Sequence, residues 1–344
     1  MAKFLDIIIP QYKEDEGVLK NLLDSIARQK NIDFTEIGIR IQGDCGYRLK
    51  DEFLKSYSNL DIIYNMNDKN SGTGRTEQAA VDASTAEFLT FIDADDEFYS
   101  DISLREIIHG LKNSPQINIL CTAMVQENMK NGQLIRSAVN FNMLRTLHGV
   151  FVRRSYLIEH DIRFNERLHY FEDTYYVSIL TCRNDMVVIA NLTYVWKWND
   201  QSKTLQNNKY DVSVRRYEEM LHAYIDVYDY FVKHNIPKSQ FYLIQQTMEL
   251  VCILESSYFD YPELLEQKEK YEDEVYNLYK THKDIFDSLN PSQKLAYTNY
   301  VMRDVMNYYK GIRILLTFDQ FIAKMMNKEK NWKISLVSNY TLYN

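Results

Sequence analysis

The first apolar segment, Phe4-Leu5-Asp6-Ile7-Ile8-Ile9, is short, rich in β-branched residues and closed by Pro10, which predicts a buried parallel strand. Val18, Leu19, Leu22, Leu23 and Ile26 then recur at helical spacing and predict an amphipathic helix ending near Ala27. Further strands are predicted at Glu36–Ile41, ending in Gly43-Asp44-Cys45-Gly46, at Ile62–Tyr64, and at Glu87–Ile92, which runs into Asp93-Ala94-Asp95-Asp96. Between the last two strands, Asn70-Ser71-Gly72-Thr73-Gly74 breaks the chain before a helix over about Thr76–Ser84. Strands alternating with helices in this way indicate βαβ units and a mostly parallel sheet.

From about Asp211 the period becomes helical throughout. Tyr217, Met220, Leu221, Tyr224, Tyr228 and Phe231 mark one apolar face, and Phe241, Ile244, Met248, Val251 and Leu254 the next. Pro237, Pro262 and Pro291 each stand at or just before a new first turn. The polar stretch Asp200–Lys209 separates the two regimes, so the expected division is an α/β domain over 1–205 and an all-α region over 206–344.

Composition sharpens the contrast between the halves. Of ten glycines, all but Gly311 lie at or before Gly149, so the tight turns belong to the first half. A net charge of −8 argues against general capture of nucleic acid or an anionic membrane. Cys45, Cys121, Cys182 and Cys252 are far apart and form no C-x-x-C pair, which disfavours a zinc knuckle or a disulfide framework and fits a reducing, cytoplasmic location. No apolar run reaches the roughly 18 residues of a membrane span. The best candidate, Ile312–Met326, contains Arg313, Asp319, Gln320 and Lys324 and reads as an amphipathic helix.

The strongest chemical signal is Asp93-Ala94-Asp95-Asp96 at a strand end. In an open α/β sheet ligands bind beyond the carboxyl ends of strands, and clustered carboxylates are hard donors suited to Mg²⁺ or Mn²⁺ bridging to substrate phosphates. An acidic loop leading into a helix over Ser100–His109 would look the same when taken alone. Gly72-Thr73-Gly74-Arg75 before a helix offers a close backbone approach, an anion-favouring helix end and a guanidinium, although it is not a dinucleotide fingerprint and by itself reads as a flexible turn. Glu172-Asp173 opens another helix, where an isolated acidic pair is most simply a cap.

Taken together, Asp6-Ile7-Ile8-Ile9-Pro10-Gln11-Tyr12, Gly43-Asp44, Gly72-Thr73-Gly74-Arg75, Phe91-Ile92-Asp93-Ala94-Asp95-Asp96, His148–Arg154, Arg163-Phe164 and Glu172-Asp173 resemble, in order and spacing, the inverting glycosyltransferases of family 2. The resemblance covers about the first 200 residues and implies a GT-A fold, Rossmann-like with a mostly parallel sheet, that carries the catalytic nucleotide-sugar site, leaving 206–344 as a helical accessory domain for acceptor binding, oligomerisation or packing.

The resemblance further implies that Pro10, Gln11, Tyr12 and Asp44 border the nucleobase, with Arg75 near the base or diphosphate, and that Asp93 and Ala94 line the nucleotide-sugar site, Asp93 facing the ribose. It makes Asp95 the ligand of a divalent cation, Mn²⁺ or Mg²⁺, and Asp173 the general base, with Asp96, His148, Glu172 and Trp198 candidates for the acceptor side. The expected reaction is metal-dependent transfer of a sugar from a UDP-sugar or other nucleotide-sugar to a hydroxyl-bearing acceptor, glycan or otherwise. Lys197-Trp198-Asn199-Asp200 stands where processive synthases of the family carry Gln-x-x-Arg-Trp, and no span follows it, so transfer is expected to be non-processive. Homo-oligomerisation would run through the helical region. A nucleotidyltransferase and a non-catalytic scaffold of the same fold are the alternative readings.

Overall fold

The computed structural model describes residues 2–140, 146–200, 210–260, 262–308 and 313–329. The chain divides into two compact units, residues 1–205 and 206–344.

The first unit opens with β1 (Leu5–Gln11), α1 (Glu16–Ala27), β2 (Ile37–Gly43), α2 (Asp51–Lys55), β3 (Ile62–Met66), α3 (Thr73–Ala83) and β4 (Phe88–Phe91). It continues with β5 (Glu97–Phe98), α4 (Ser103–Asn113), β6 (Ile119–Lys130), β7 (Gln133–Val139), β8 (Val150–Arg153), α5 (Arg154–Glu159), α6 (Glu172–Thr181) and β9 (Met186–Trp196). Among the described residues these strands form a nine-stranded sheet of order β3-β2-β1-β4-β8-β6-β9-β5, with β7 added to β6 as a hairpin. The block β3-β2-β1-β4 is parallel, whereas β8 runs antiparallel to β4 and β6, and β9 runs parallel to β6 and antiparallel to β5.

The parallel block follows from the sequence pattern. β1 lies between β2 and β4 and is covered on both faces, which is why Leu5, Ile7, Ile8 and Ile9 form a continuous apolar run. α1 begins at the Asp15 cap, whose carboxylate accepts the Val18 N–H at 3.1 Å, and it buries Leu19, Leu22, Leu23 and Ile26 in the core that includes Ile7, Ile9, Phe88 and Phe151. Burying each such side chain contributes about 1.5–3 kcal/mol. The one charge inside β1, Asp6, is paired with Arg40 of β2 and accepts a hydrogen bond from Ser84.

Two helix starts in this unit differ from the sequence expectation. α3 begins at Thr73, with Gly72 as its cap residue at φ +86°, so Gly74 and Arg75 lie inside the first turn rather than ahead of the helix. α4 starts at Ser103, because Ser100 and Ser103 exchange local hydrogen bonds that hold the preceding residues in a turn.

The second unit contains α7 (Tyr210–Lys233), α8 (Ser239–Asp260), α9 (Lys268–Thr281), α10 (Lys283–Asp287), α11 (Pro291–Tyr308) and α12 (Phe318–Glu329). Its core is aromatic. Tyr279 lies 5.1 Å from Phe286 and 6.0 Å from Phe321, while Tyr217 lies 4.8 Å from Tyr271. Lys324 of α12 is drawn into this interior by Glu255 at 2.7 Å and Glu272 at 3.4 Å.

The helix expected over Ile312–Met326 starts only at Phe318. Thr317 and Gln320 exchange side-chain hydrogen bonds with each other's backbone N–H at 3.2 and 2.9 Å, a reciprocal cap that sets the helix start. Before it, Ile314 is buried and its N–H donates to Ser256 Oγ at 3.0 Å; Ile312 lies outside the described residues. Most of the boundary stretch Asp200–Lys209, including Ser202-Lys203-Thr204, also lies outside them. No helix among the described residues is long and apolar enough to cross a membrane.

Candidate active site

The carboxyl ends of β1, β2 and β4 place the candidate residues together. β1 ends at Pro10 and Gln11, followed by Tyr12; β2 ends at Gly43, followed by Asp44; and β4 leads through Ile92 to Asp93–Asp96. The Asp44 N–H donates to the Gln11 carbonyl at 2.7 Å, which ties the first two ends together. Gln11 is buried, and its amide nitrogen donates to the Glu14 and Tyr47 carbonyls, both at 2.8 Å, so it shapes this loop from below.

Asp44 is also buried. Its Oδ1 accepts from Asn67 Nδ2 at 3.0 Å and from the Ser71 N–H at 2.7 Å, and its Oδ2 accepts from the Gly72 N–H at 2.9 Å. The carboxylate therefore gathers β2, the residue after β3 and the cap of α3 around one point.

The glycines of Gly72-Thr73-Gly74 have a packing reason. A Cβ on Gly72 would lie 3.3 Å from His169, and one on Gly74 would lie 3.3 Å from the Glu172 Cβ. The start of α3 is thus close against the start of α6, which brings Arg75 and Glu172-Asp173 into one neighbourhood. Arg75 Nε donates to Glu166 Oε2 at 2.9 Å, a surface pair. The cap residue of α6 is Phe171, held in the left-handed region at φ +62° with no side-chain cap bond. Asp173 is therefore the second residue of α6, at the positive end of its dipole, and not its cap.

The centre of the site is the turn after β4. Asp93 is half exposed, with His148 Nε2 3.7 Å from its Oδ2. Donor atoms of Asp93, Asp96 and His148 lie within 4.8 Å of one another, a set able to hold a cation. His148 is oriented by a hydrogen bond with Thr146 and packs on Tyr194 at 4.5 Å and on Trp196 at 5.2 Å.

Asp96 is only 1% exposed; its carboxylate accepts from the Tyr194 hydroxyl and from the Lys197 N–H at 2.7 Å. Asp95 Oδ2 accepts from Asn199 Nδ2 at 2.6 Å. Trp198 is held through its N–H, 3.1 Å from Glu127 Oε2. Burial, and after it the charge of Asp93, pushes Asp95 above the usual carboxylate range, while Asn199 pulls the other way. Asp96 is pushed well above that range by burial, then by Asp93 and Asp95. A divalent cation bound here would favour the charged form of these carboxyl groups, offsetting both their burial and their mutual repulsion.

Sequence reasoning did not single out Tyr194 or Glu127, named Lys197 and Asn199 only within the Lys197–Asp200 segment, and did not anticipate that His148 lies beside Asp93. Nothing local in the sequence signals these partners, because β6, β8 and β9 carry them or lead to them and only the assembled sheet brings them together.

Residues 6–172 match the model of the family described as Glycosyl transferase family 2. A processive diacylglycerol beta-glycosyltransferase of Mycoplasma genitalium is 24% identical over 199 residues, 56% of this chain and 55% of that protein. A teichoic acid poly(glycerol phosphate) polymerase of Staphylococcus epidermidis is 25% identical over 237 residues, 62% of this chain and 31% of the polymerase. The chain thus spans about half or less of the curated relatives it matches. Among solved structures, S. aureus TarS 1–349 in complex with UDP-GlcNAc superimposes with a TM-score of 0.64 at 15% identity, over 100% of this chain and 97% of that one. The complex of the same TarS segment with UDP gives 0.62 at 15% identity, over 100% and 96%. At that identity the likeness establishes the fold, the Rossmann-like GT-A architecture with a helical region after it.

Proposed function

Because residues 6–172 belong to glycosyl transferase family 2, we propose that the chain transfers a sugar from a nucleotide-sugar to a hydroxyl acceptor with inversion at the anomeric carbon. The observation that carries this reading is the set of Asp93, Asp96 and His148, whose donor atoms lie within 4.8 Å of one another just beyond β4, with Asp95 in the same turn. In this reading Pro10, Gln11, Tyr12 and Asp44 border the base, Arg75 lies near the base or diphosphate, and Asp93 faces the ribose. Asp95, which lies close enough to Asp93 to feel its charge, would hold Mn²⁺ or Mg²⁺; when bound, the cation would neutralise charge on the departing diphosphate. Asp173 takes the proton of the acceptor hydroxyl while that oxygen bonds to the anomeric carbon and the bond from that carbon to the diphosphate breaks. One displacement inverts the centre. Glu172 and Trp198 are assigned to the acceptor side; Asp96, buried and bonded to Tyr194 and Lys197, supports the turn instead.

The test is calorimetric titration of the nucleotide diphosphate, UDP first and then GDP, with Mn²⁺ and with excess chelator. Asp95→Ala and chelation are each expected to abolish the cation-dependent part of binding, and undiminished binding in chelator would overturn the assignment of Asp95. Product analysis then separates a transferred sugar from a transferred nucleotide. Transfer of one sugar per acceptor is part of the proposal, although the Mycoplasma relative is described as processive. A ladder of products at low enzyme concentration would refute single transfer.

A further inference from the structure

Resting on the donor-site reading above, we propose that Tyr194 and Asp96 are positioning residues that lock the Asp93–Asp95 turn to the Lys197–Asn199 segment, so that the donor carboxylates and Trp198 are set as one unit. Tyr194 is 2% exposed, and its hydroxyl works in both directions, donating to Asp96 Oδ2 and accepting the Asp93 N–H at 3.3 Å. The other oxygen of Asp96 takes the Lys197 N–H at 2.7 Å. A phenylalanine would fill the same apolar volume in β9, so the hydroxyl is there for its hydrogen bonds; a buried polar group left without them is costly.

The neighbouring contacts extend the lock. Glu97 pairs with Val195 and Phe98 with Tyr194, which places the residues after the turn in register with the end of β9. Three consecutive residues beyond β9 are then tied to three carboxylates: Lys197 N–H to Asp96, Trp198 N–H to Glu127 at 3.1 Å, and Asn199 Nδ2 to Asp95 at 2.6 Å. Glu127 is itself fixed by Arg136 at 2.9 and 2.6 Å. Asp93, Asp95 and Asp96 repel one another, and these donors keep the turn from spreading. Groups that orient a metal-binding carboxylate typically change metal affinity by about 10–100-fold when removed.

The experiment uses the full chain and titrates UDP, or GDP if that is the nucleotide bound, with Mn²⁺ and again in chelator. Tyr194→Phe keeps the ring on His148 but removes the bridge; Asp96→Ala removes its other end. Both are expected to cut the cation-dependent gain in nucleotide affinity by about tenfold or more, Tyr194→Phe without changing the affinity in chelator. Asp96→Asn, which can still accept the Lys197 N–H, is expected to restore most of the gain. A purely structural role predicts a lower melting temperature with the gain intact. That result, in whichever of Tyr194→Phe and Asp96→Ala folds, overturns the inference. A wild-type protein with no cation-dependent binding of either nucleotide would instead overturn the donor-site reading, and this inference with it.

Discussion

Asp173 shows what a single residue can and cannot announce. In the sequence it is one acid of a pair that, taken alone, reads most simply as a helix cap, yet the cap position of α6 is Phe171, and Asp173 is the second residue of the helix. Asp173→Asn keeps the shape and removes the basicity. Turnover with an identified acceptor is expected to fall by roughly 10²–10⁴, with donor affinity nearly unchanged, as measured by initial rates beside calorimetry. Turnover close to wild type would remove Asp173 from the mechanism and make Glu172 the next carboxylate to test. Asp44 is the opposite case: its chemistry suggests a ligand, and its visible work is to hold the Ser71 and Gly72 N–H groups and Asn67. Only the fold distinguishes such roles, because the identity of a side chain says nothing about which donors surround it.

At the scale of elements, the strands of the parallel block were legible because strands buried on both faces must be continuously apolar. Their ends were less so. The starts of α3, α4 and α12 lie several residues from where the period puts them, because the hydrogen bonds ahead of each helix, from Asp44 to the Ser71 and Gly72 N–H groups, between Ser100 and Ser103, and between Thr317 and Gln320, are not recorded in hydrophobic period. The pair Asp6–Arg40 lets one charge into the centre of β1. Arg40→Ala would leave the carboxylate buried without its counter-charge, at a cost of about 3–5 kcal/mol. Urea unfolding of the variant should therefore show a markedly lower midpoint at an unchanged slope; a midpoint within error of wild type would show that Asp6 finds water or a proton instead.

At the scale of the molecule, thiol chemistry reports burial across both units. Cys121, Cys182 and Cys252 are buried and Cys45 is exposed, and burial pushes Cys121 and Cys252 up to about 12. A thiol reagent at neutral to mildly alkaline pH is expected to modify one cysteine in the native protein and all four after denaturation. Rapid modification of a second thiol in the native state would show that one of the units opens. The helical unit closes its interior with aromatic rings and the ion triad of Lys324, Glu255 and Glu272. That interior accounts for the Tyr-rich pattern of its helices without calling on a ligand.

The sequence by itself determined the alternation of strand and helix in the first 100 residues, the change to helix after about residue 210, and the ordered motifs that carry the likeness to glycosyl transferase family 2, whose model matches residues 6–172. These are local properties: period, turn residues and short spacings survive in one dimension. The tertiary structure alone decided the mixed half of the sheet, in which β8, β6 and β9 lie beyond β4. It also decided that Gly72 and Gly74 make room for His169 and Glu172, and that His148, Tyr194 and Asn199 surround the aspartates. Those partners are joined by strand pairings across 50 to 100 residues, and the free energy that selects such a pairing lies in the packing of the whole sheet, which no window of sequence contains.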